Sequence, residues 1–275
     1  MTYDLIETST FNGQPVELFE FSRGASFWRY TNSEEDVVSF GATYESATIQ
    51  RSKIEQTQDL GKSVIMINMP RILDFVQQYI QSPPSDIVSL TIRRFHSTDP
   101  DISNPANTVV IWIGRVVNIR FEEDTVIARC EPVLTSLRRG ALRRVYQTTC
   151  PHVLYGSVCR ANRNNFRLTT DVESFTATTL SATAIDAQPD GYYTGGFIQW
   201  SVGSNVNKRF IIGHTGDTIT LNLGLTGLDV GTTVEIFPGC DHRLTTCVNK
   251  FNNELNYGGF PYIPIKNPFS GTPIF

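Results

Sequence analysis

Five cysteines are the residues with the clearest chemistry in this sequence, and four of them form two pairs that bracket short loops. Cys150 and Cys159 enclose Pro-His-Val-Leu-Tyr-Gly-Ser-Val, and Cys240 and Cys247 enclose Asp-His-Arg-Leu-Thr-Thr. Four thiolates from two irregular loops can hold a tetrahedral Zn²⁺ ion or an iron–sulfur cluster. Neither spacing is the two-residue form typical of zinc ribbons, which favours the cluster. Separate disulfides and unrelated buried thiols stay open as alternatives.

The remaining cysteine and the neighbouring histidines have simpler interpretations. Cys130 lies in an alternating strand pattern, which predicts a small buried hydrophobic residue and no metal ligand. His152 and His242 each follow a paired cysteine by two residues. Because four cysteines already suffice, we expect these histidines to support the site or to lie on the surface. No nucleophilic triad and no dinucleotide-binding fingerprint is recognisable, so the sequence predicts no enzyme.

An arginine-rich stretch surrounds the first cysteine pair. No acidic residue occurs between Glu131 and Asp171, whereas seven arginines do: Arg138, Arg139, Arg143, Arg144, Arg160, Arg163 and Arg167. Guanidinium groups would offset the negative charge of a thiolate-ligated cluster. By charge alone, a solvated helix face or a partner interface is the stronger interpretation. We expect at least two of the first four arginines to contact a neighbouring subunit or partner protein, with Arg160 or Arg163 nearer the cluster.

The elements that must position these residues are mostly β-strands. Residues 16–21, 27–31, 88–95 and 109–119 show alternation or β-branched enrichment, and residues 109–130 are predicted to form a hairpin through a polar turn at 118–124. Helix signals are few: one short amphipathic helix is predicted over 71–80, after Pro70, and a second over about 132–146.

Residues 166–238 return to short strands at spacings of about ten residues, which indicates a small sandwich or barrel module. The two cysteine pairs flank this module, so its ends can bring them together. We expect an N-terminal β-barrel-like domain over 1–130 and a C-terminal cysteine-cluster domain over 131–275. The fold class predicted is therefore mainly β, with short helices.

Composition excludes several classes of protein. The 275 residues are 40% hydrophobic and 18% charged, as in an ordinary globular chain. No apolar run reaches the length of a membrane-spanning helix, and the first residues lack a signal-peptide pattern, so synthesis in a reducing host cytoplasm is expected. The net charge of −4 gives no reason to expect membrane binding or sequence-specific binding to nucleic acid.

Several segments between 140 and 268 resemble one family. The loop from Cys150 to Cys159 is similar to its Cys-x-x-x-Leu-Tyr-Gly-x-x-Cys element, and Gly239-Cys240-Asp241, Cys247 and Lys250-Phe251-Asn252-Asn253 continue the match. Tyr257-Gly258-Gly259-Phe260-Pro261 resembles the family's terminal Phe-Gly-Gly-Phe-Pro signature. This is the baseplate hub family of long-tailed phages and gene transfer agents, which is similar in role to the tail-tip protein L of lambda-like phages.

The resemblance implies a virion structural protein of the phage tail. Its implied role is a homotrimeric baseplate hub that joins the distal tail protein ring to the central fibre or spike protein. The resemblance also implies a [4Fe–4S] cluster on Cys150, Cys159, Cys240 and Cys247. Two other functions stay open from the residues: a zinc-stabilised structural adaptor, and a redox protein that transfers electrons through the cluster. Metal analysis and visible absorbance separate the first of these from the cluster.

Overall fold

The computed structural model describes residues 3–11, 13–55, 63–80, 82–99, 104, 107–138 and 145–264. The chain forms two compact units, one of residues 1–139 with 203–206 and one of residues 140–202 with 207–275. Both units are built on β-sheets with a few short helices, so the predicted mainly β fold class is confirmed.

The first unit contains a nine-stranded sheet. Its strands are β1 (Pro15–Arg23), β2 (Ser26–Thr31), β3 (Val37–Ser39), β4 (Ala42–Ser46), β5 (Gln50–Arg51), β6 (Ile65–Pro70), β7 (Ser89–His96), β8 (Val109–Phe121) and β9 (Thr125–Pro132). They lie in the order β3-β4-β2-β1-β7-β8-β9-β6-β5. The predicted hairpin is present as β8 and β9, which pair antiparallel with a register shift between Val116 and Asn118. Such a shift increases local twist and bends the strand.

The nine-stranded sheet curls as a half-barrel. Strands β1 and β5 are separated by four others in the sheet order, yet Glu17 of β1 and Arg51 of β5 form an ion pair at 2.6 Å. In a flat sheet these strands would lie more than 20 Å apart, at about 4.8 Å per strand step. The concave face therefore encloses one hydrophobic core, which includes Phe19, Ile67 and Ile92.

Helices are shorter than the sequence predicts. The first unit has α1 (Tyr3–Glu7) and α2 (Asp74–Gln77), and α2 occupies only part of the segment predicted as a helix over 71–80. Pro70 ends β6, and Leu73 keeps an extended backbone, so the helix begins late. Its two buried residues include Phe75, whose ring stacks on a core ring, Phe21, at 4.1 Å. The length of α2 is therefore determined by the packing of one helical turn against the core, and not by the helical spacing of apolar residues in the sequence.

The helix predicted over about 132–146 is present only in part within the described residues. A 3₁₀ helix covers Val133–Arg138, directly after β9, and residues 145–147 have no regular structure. Residues 139–144 lie outside the described part. Leu134 in this segment has 53% of its surface exposed. No helix in the described ranges is both long and apolar enough to cross a membrane.

The second unit contains a seven-stranded sheet. Its strands are β10 (Leu168–Asp171), β11 (Ser174–Phe175), β12 (Thr179–Ser181), β13 (Phe197–Val202), β14 (Asn205–Thr215), β15 (Thr218–Leu221) and β16 (Thr233–Phe237), in the order β10-β16-β13-β14-β15-β12-β11. A separate core, with Trp200 and Ile236 among its members, lies against this sheet. The segments before β10 and after β16, including α3 (Leu244–Asn249), carry the paired cysteines.

Candidate functional site: a pocket lined by four cysteines

The two cysteine pairs converge on one pocket of the second unit. Cys150, Cys159, Cys240 and Cys247 all line it, and each is a free thiol. About 80 residues separate the pairs in sequence, and these residues form the seven-stranded sheet. The sheet's first and last strands by sequence, β10 and β16, are hydrogen-bonded neighbours, so the flanking segments leave it side by side.

Close backbone contacts fix the loop that carries Cys240. A Cβ added to Gly239 would lie 2.2 Å from the backbone carbon of Gly195, and one added to Gly196 would lie 2.0 Å from the carbonyl oxygen of Phe237. These glycines allow the chain after β16 to lie directly on the turn before β13. The backbone N–H of Cys150 then donates to the carbonyl oxygen of His242 at 2.8 Å. The two cysteine loops are therefore joined by a main-chain hydrogen bond.

The Leu-Tyr-Gly element folds the first cysteine loop. The Tyr155 hydroxyl donates to the carbonyl oxygen of Pro238 at 2.8 Å, which ties this loop to the end of β16. Its ring packs edge-on against Phe237 and Phe251. The backbone N–H of Gly156 donates to the carbonyl oxygen of Val153 at 3.0 Å and closes a tight turn. The tyrosine therefore anchors the loop, and the glycine shapes it.

Backbone strain is concentrated around the pocket. Among the described residues, five non-glycine positions adopt a positive φ, and four of them lie in or beside the cysteine loops: Tyr155, Arg160, His242 and Asn252. Such conformations persist only when surrounding contacts impose them, and they cluster at functional sites. The strain marks this pocket, and no sequence pattern revealed it.

Three of the four sulfur atoms have an N–H group directed at them. The backbone N–H of His242 donates to Cys240 Sγ at 3.3 Å, and that of Gly258 donates to Cys150 Sγ at 3.4 Å. The side-chain amide of Asn253 donates to Cys159 Sγ at 3.6 Å. The fourth thiol, Cys247, instead donates to the carbonyl oxygen of Asn253 at 3.2 Å. Three sulfurs are therefore placed as acceptors, the role that thiolates play.

The pKa is raised for two of the pocket thiols, Cys240 and Cys247. Burial, with a smaller contribution from negative charge on Cys240, Cys150 and Cys159, raises the pKa of Cys247 to about 11. Burial also raises the pKa of Cys240, against the opposing effect of the His242 N–H. Cys240 and Cys247 therefore favour the neutral thiol here, and a bound cation is the kind of group that displaces such protons.

A buried lysine lies beside the pocket and was missed by the sequence reasoning. Lys250 Nζ donates to the carbonyl oxygens of Tyr192 and of Gly239, the latter at 2.8 Å, and lies 4.2 Å from the centre of the Tyr192 ring. Burial lowers the pKa of Lys250 to about 8, and negative charge at Cys240 opposes that change. The lysine joins the loop of Cys240 to the turn before β13. Its position in the Lys-Phe-Asn-Asn segment was the only available signal.

Neither Arg160 nor Arg163 lines the pocket, and their expected place near a cluster stays a prediction. Arg163 lies over the Phe237 ring at 5.8 Å, and Arg167 pairs with Glu235. The pocket is lined instead by Arg243, which the sequence reasoning did not select. Residues 139 and 143–144, and the side chain of residue 138, lie outside the described part, so the expected subunit contacts there stay a prediction.

Both histidines line the pocket, as supporting groups. His152 Nδ1 lies 3.0 Å from the carbonyl oxygen of Asn256, and His242 contributes its backbone N–H and carbonyl groups. Within the described ranges, no three His, Cys, Asp or Glu side chains are arranged to hold a single metal ion. The four thiols line one pocket together with other residues. Cys130 lies apart from it, fully buried in the core of the first unit.

Two family models match the chain. The model described as "Baseplate hub protein, N-terminal attachment domain" matches residues 19–162, and "Phage conserved hypothetical protein BR0599" matches residues 191–267. The first covers more than half of the chain and extends from the nine-stranded sheet to the first cysteine pair. Together the two matches include all four pocket cysteines.

Similar proteins agree with these matches. An uncharacterized protein of Xylella fastidiosa (strain 9a5c) is 30% identical over 174 aligned positions, which cover 58% of this chain and 35% of the relative. The chain thus spans about a third of the length of this relative. A chain from the virion of a native gene transfer agent particle has the same fold, with a TM-score of 0.76, 19% identity, and coverage of 95% of this chain and 92% of that chain. The resemblance found in the sequence is confirmed: the chain belongs to the baseplate hub protein family, and it is a structural component of a phage-type virion tail.

Proposed function

We propose that this chain is the hub at the tip of the tail, where three copies join the distal tail ring to the central fibre or spike protein. Family membership and the shared fold support a hub role, and the finer assignment of partners is our inference. Closed rotational symmetry at a tail tip suits such a connecting protein.

The experiment for this assembly role is imaging of isolated tails that carry an epitope-tagged chain. We expect label at the tail tip between the ring and the fibre, and crosslinking that yields a trimer of the chain. A chain that stays monomeric in purified tail tips, or label along the tail shaft, would contradict the proposal.

We further propose that the cysteine pocket holds one structural [4Fe–4S] cluster on Cys150, Cys159, Cys240 and Cys247. The observation that carries this proposal is the convergence of four free thiols from two distant segments on one pocket. The N–H groups directed at three of the sulfurs support it, because such bonds stabilise thiolate ligands of iron–sulfur clusters.

The protein groups have clear roles in this arrangement. The four thiols supply the ligands, the Cys150–His242 main-chain bond holds the two loops together, and Lys250 places positive charge beside Cys240. A bound cluster would link the loops covalently and add its ligation free energy to folding. A role in stability accounts for this set of groups without a second cofactor or an electron-transfer partner.

The test is metal analysis of anaerobically purified protein. We expect one [4Fe–4S] cluster per chain and broad visible absorbance from iron–sulfide charge transfer. Replacement of any pocket cysteine by serine should remove the colour, whereas Cys130→Ser, the matched control, should keep it. Colourless protein with stoichiometric zinc would contradict the cluster proposal and support the zinc alternative. A Cys150–Cys159 disulfide without metal would contradict both.

A further inference from the structure

One asparagine contacts a cysteine from each pair. The side-chain amide Nδ2 of Asn253 donates to the Cys159 carbonyl oxygen at 2.6 Å and lies 3.6 Å from Cys159 Sγ. Its backbone N–H donates to the carbonyl oxygen of Cys247 at 3.0 Å, and its own carbonyl oxygen accepts from Cys247 Sγ at 3.2 Å. Asn253 therefore connects the two cysteine loops through side chain and backbone.

The orientation of this amide is set by a second asparagine. Asn256 Nδ2 donates to Asn253 Oδ1 at 2.7 Å, so the carbonyl side of the Asn253 amide is occupied and its NH₂ group faces Cys159. The carbonyl oxygen of Asn256 is in turn 3.0 Å from His152 Nδ1. This network assigns the donor to the sulfur side, because an amide presents its acceptor and its donors in different directions.

The residues after Asn253 contact the beginning of the first cysteine loop, at residues 147–150. The Tyr257 hydroxyl donates to the carbonyl oxygen of Thr148 at 2.6 Å, the Gly258 N–H donates to Cys150 Sγ, and the Phe260 N–H donates to the carbonyl oxygen of Gln147 at 2.9 Å. We call residues 253–260 the C-terminal strap. It supplies N–H donors to both sulfurs of the first pair, and it contacts Cys247 of the second.

The strap lies in direct contact with the loop beneath it. A Cβ on Gly258 would stand 2.4 Å from the His152 ring, and a Cβ on Gly259 would stand 2.5 Å from the carbonyl oxygen of Thr148. Only glycine fits at such separations. The Gly-Gly pair is therefore required for the close approach of the strap to this loop.

We propose that Asn253 is the positioning residue of the cysteine pocket, and that the C-terminal strap closes the pocket and determines that it takes an anionic, thiolate-ligated iron–sulfur group. This inference rests on the proposed function and extends it to residues that are not ligands. N–H groups directed at sulfur stabilise negative charge on the sulfur, and covering the pocket limits the access of solvent and oxygen to a bound group.

The first experiment uses the cluster-loaded full chain. Asn253→Ala removes the N–H donor to the Cys159 sulfur. The reduction potential of the cluster should therefore fall, and the cluster should bleach about tenfold faster in air, as expected for the loss of one charge-assisted hydrogen bond. Asn253→Asp places negative charge against the Cys159 sulfur and should retain less iron than Asn253→Ala. Leu255→Ala is the matched control, because this side chain lies on the same strap and is fully exposed.

The second experiment uses metal-free protein and a thiol reagent. The Asn253→Ala variant should open the strap more often and react about tenfold faster at its pocket thiols than the Leu255→Ala variant, while the circular dichroism spectrum stays that of the wild type. This measurement requires no cluster.

The two experiments separate this inference from the proposed function. If the wild type binds no iron–sulfur group, the cluster assignment fails, and thiol reactivity still decides whether Asn253 positions the pocket. If the wild type is loaded and Asn253→Ala matches Leu255→Ala in reduction potential and bleaching rate, the role of Asn253 is overturned. Equal thiol reactivity of the two metal-free variants would also overturn it.

Discussion

The surroundings of Cys130 in the first unit are opposite to those of the four pocket cysteines in the second. Cys130 lies in the core of the first unit, where burial raises the pKa of its thiol to about 12, and its sulfur is 3.8 Å from the carbonyl oxygen of Ala128. The pocket cysteines are near one another, and N–H groups face three of their sulfurs. The same side chain is therefore an inert apolar group in one unit and a candidate ligand in the other.

Replacing Cys130 by serine tests this difference. The change buries a hydroxyl in an apolar core, which should reduce the free energy of unfolding by about 1–3 kcal/mol. Denaturant unfolding measures that loss, and iron analysis of the same sample should equal that of the wild type. Loss of iron from Cys130→Ser would show that this cysteine is coupled to the pocket.

A second residue-scale prediction concerns Glu17, which lies between two arginines. Its Oε1 is 2.6 Å from Arg51 Nη2 and 2.9 Å from Arg94 Nη2, and only 10% of its side chain is exposed. Glu17→Gln removes the charge that both guanidinium groups share, and should cost about 2–4 kcal/mol because a mostly buried pair loses one partner. Thermal or denaturant unfolding of the full chain measures this cost.

The control for Glu17 is an exposed ion pair in the same unit. Glu122 lies 3.1 Å from Arg120, whose side chain is 75% exposed. Glu122→Gln should change stability by less than about 0.5 kcal/mol, since solvent screens such a pair. Similar losses for the two variants would mean that the Glu17 cluster contributes no more than an ordinary surface pair.

Residue types and spacing identified the pocket cysteines but not the groups that support them. Cysteine pairs are visible in a sequence because few other residues share their chemistry. Lys250 and Asn253 act through hydrogen bonds to carbonyl oxygens and sulfur that tertiary structure brings near. Apart from the resemblance of the Lys-Phe-Asn-Asn segment to the family, nothing in their local sequence distinguishes them from surface residues. The arginines were selected for charge alone; Arg163 lies over the Phe237 ring, and Arg167 pairs with Glu235.

At the scale of elements, alternating hydrophobicity predicted strands more reliably than helical spacing predicted helices. The hairpin of β8 and β9 follows directly from its period of two and its polar turn. The segment over 71–80 has apolar residues at helical spacing, but only one helical turn forms, because the concave sheet needs just Phe75 and Val76. Local sequence patterns could not predict the curvature of the sheet, because the Glu17–Arg51 contact joins strands that are distant in the sheet order.

The strap provides a prediction at the same scale. Gly258→Ala would place a methyl group 2.4 Å from the His152 ring, so the strap or the first cysteine loop must move. We expect a loss of about 1–3 kcal/mol in unfolding free energy, typical of overpacking, together with weaker retention of iron. Differential scanning calorimetry and metal analysis check both effects.

The matched control is a glycine with room for a side chain. A Cβ on Gly213 of β14 meets Thr220 at an ordinary 3.7 Å, and its φ is not positive. Gly213→Ala should therefore leave stability and iron content near those of the wild type. If Gly258→Ala behaves like Gly213→Ala, the close fit of the strap does not limit the pocket.

At the scale of the whole molecule, each unit has a hydrophobic core of its own. The nine-stranded sheet encloses one core, and the seven-stranded sheet lies against another. No change in composition marks the boundary near residue 139, which is why the sequence offered only the approximate division at 130. Residues 203–206 belong to the first unit, although the segments before and after them in sequence belong to the second. No local sequence pattern predicts this assignment.

Two separate cores predict that damage to either unit stays local. Cys240→Ser removes a pocket ligand and should increase hydrogen exchange together over residues 145–165 and 238–252, while the amides of β7, β8 and β9 keep their protection, because ligation couples to folding only where the ligands are. Cys130→Ser is the reciprocal variant and should increase exchange in β6 and β9 without altering the cysteine loops. Mass-spectrometric hydrogen exchange on the full chain measures both patterns. Uniform loss of protection in either variant would show that the two units unfold as one cooperative body.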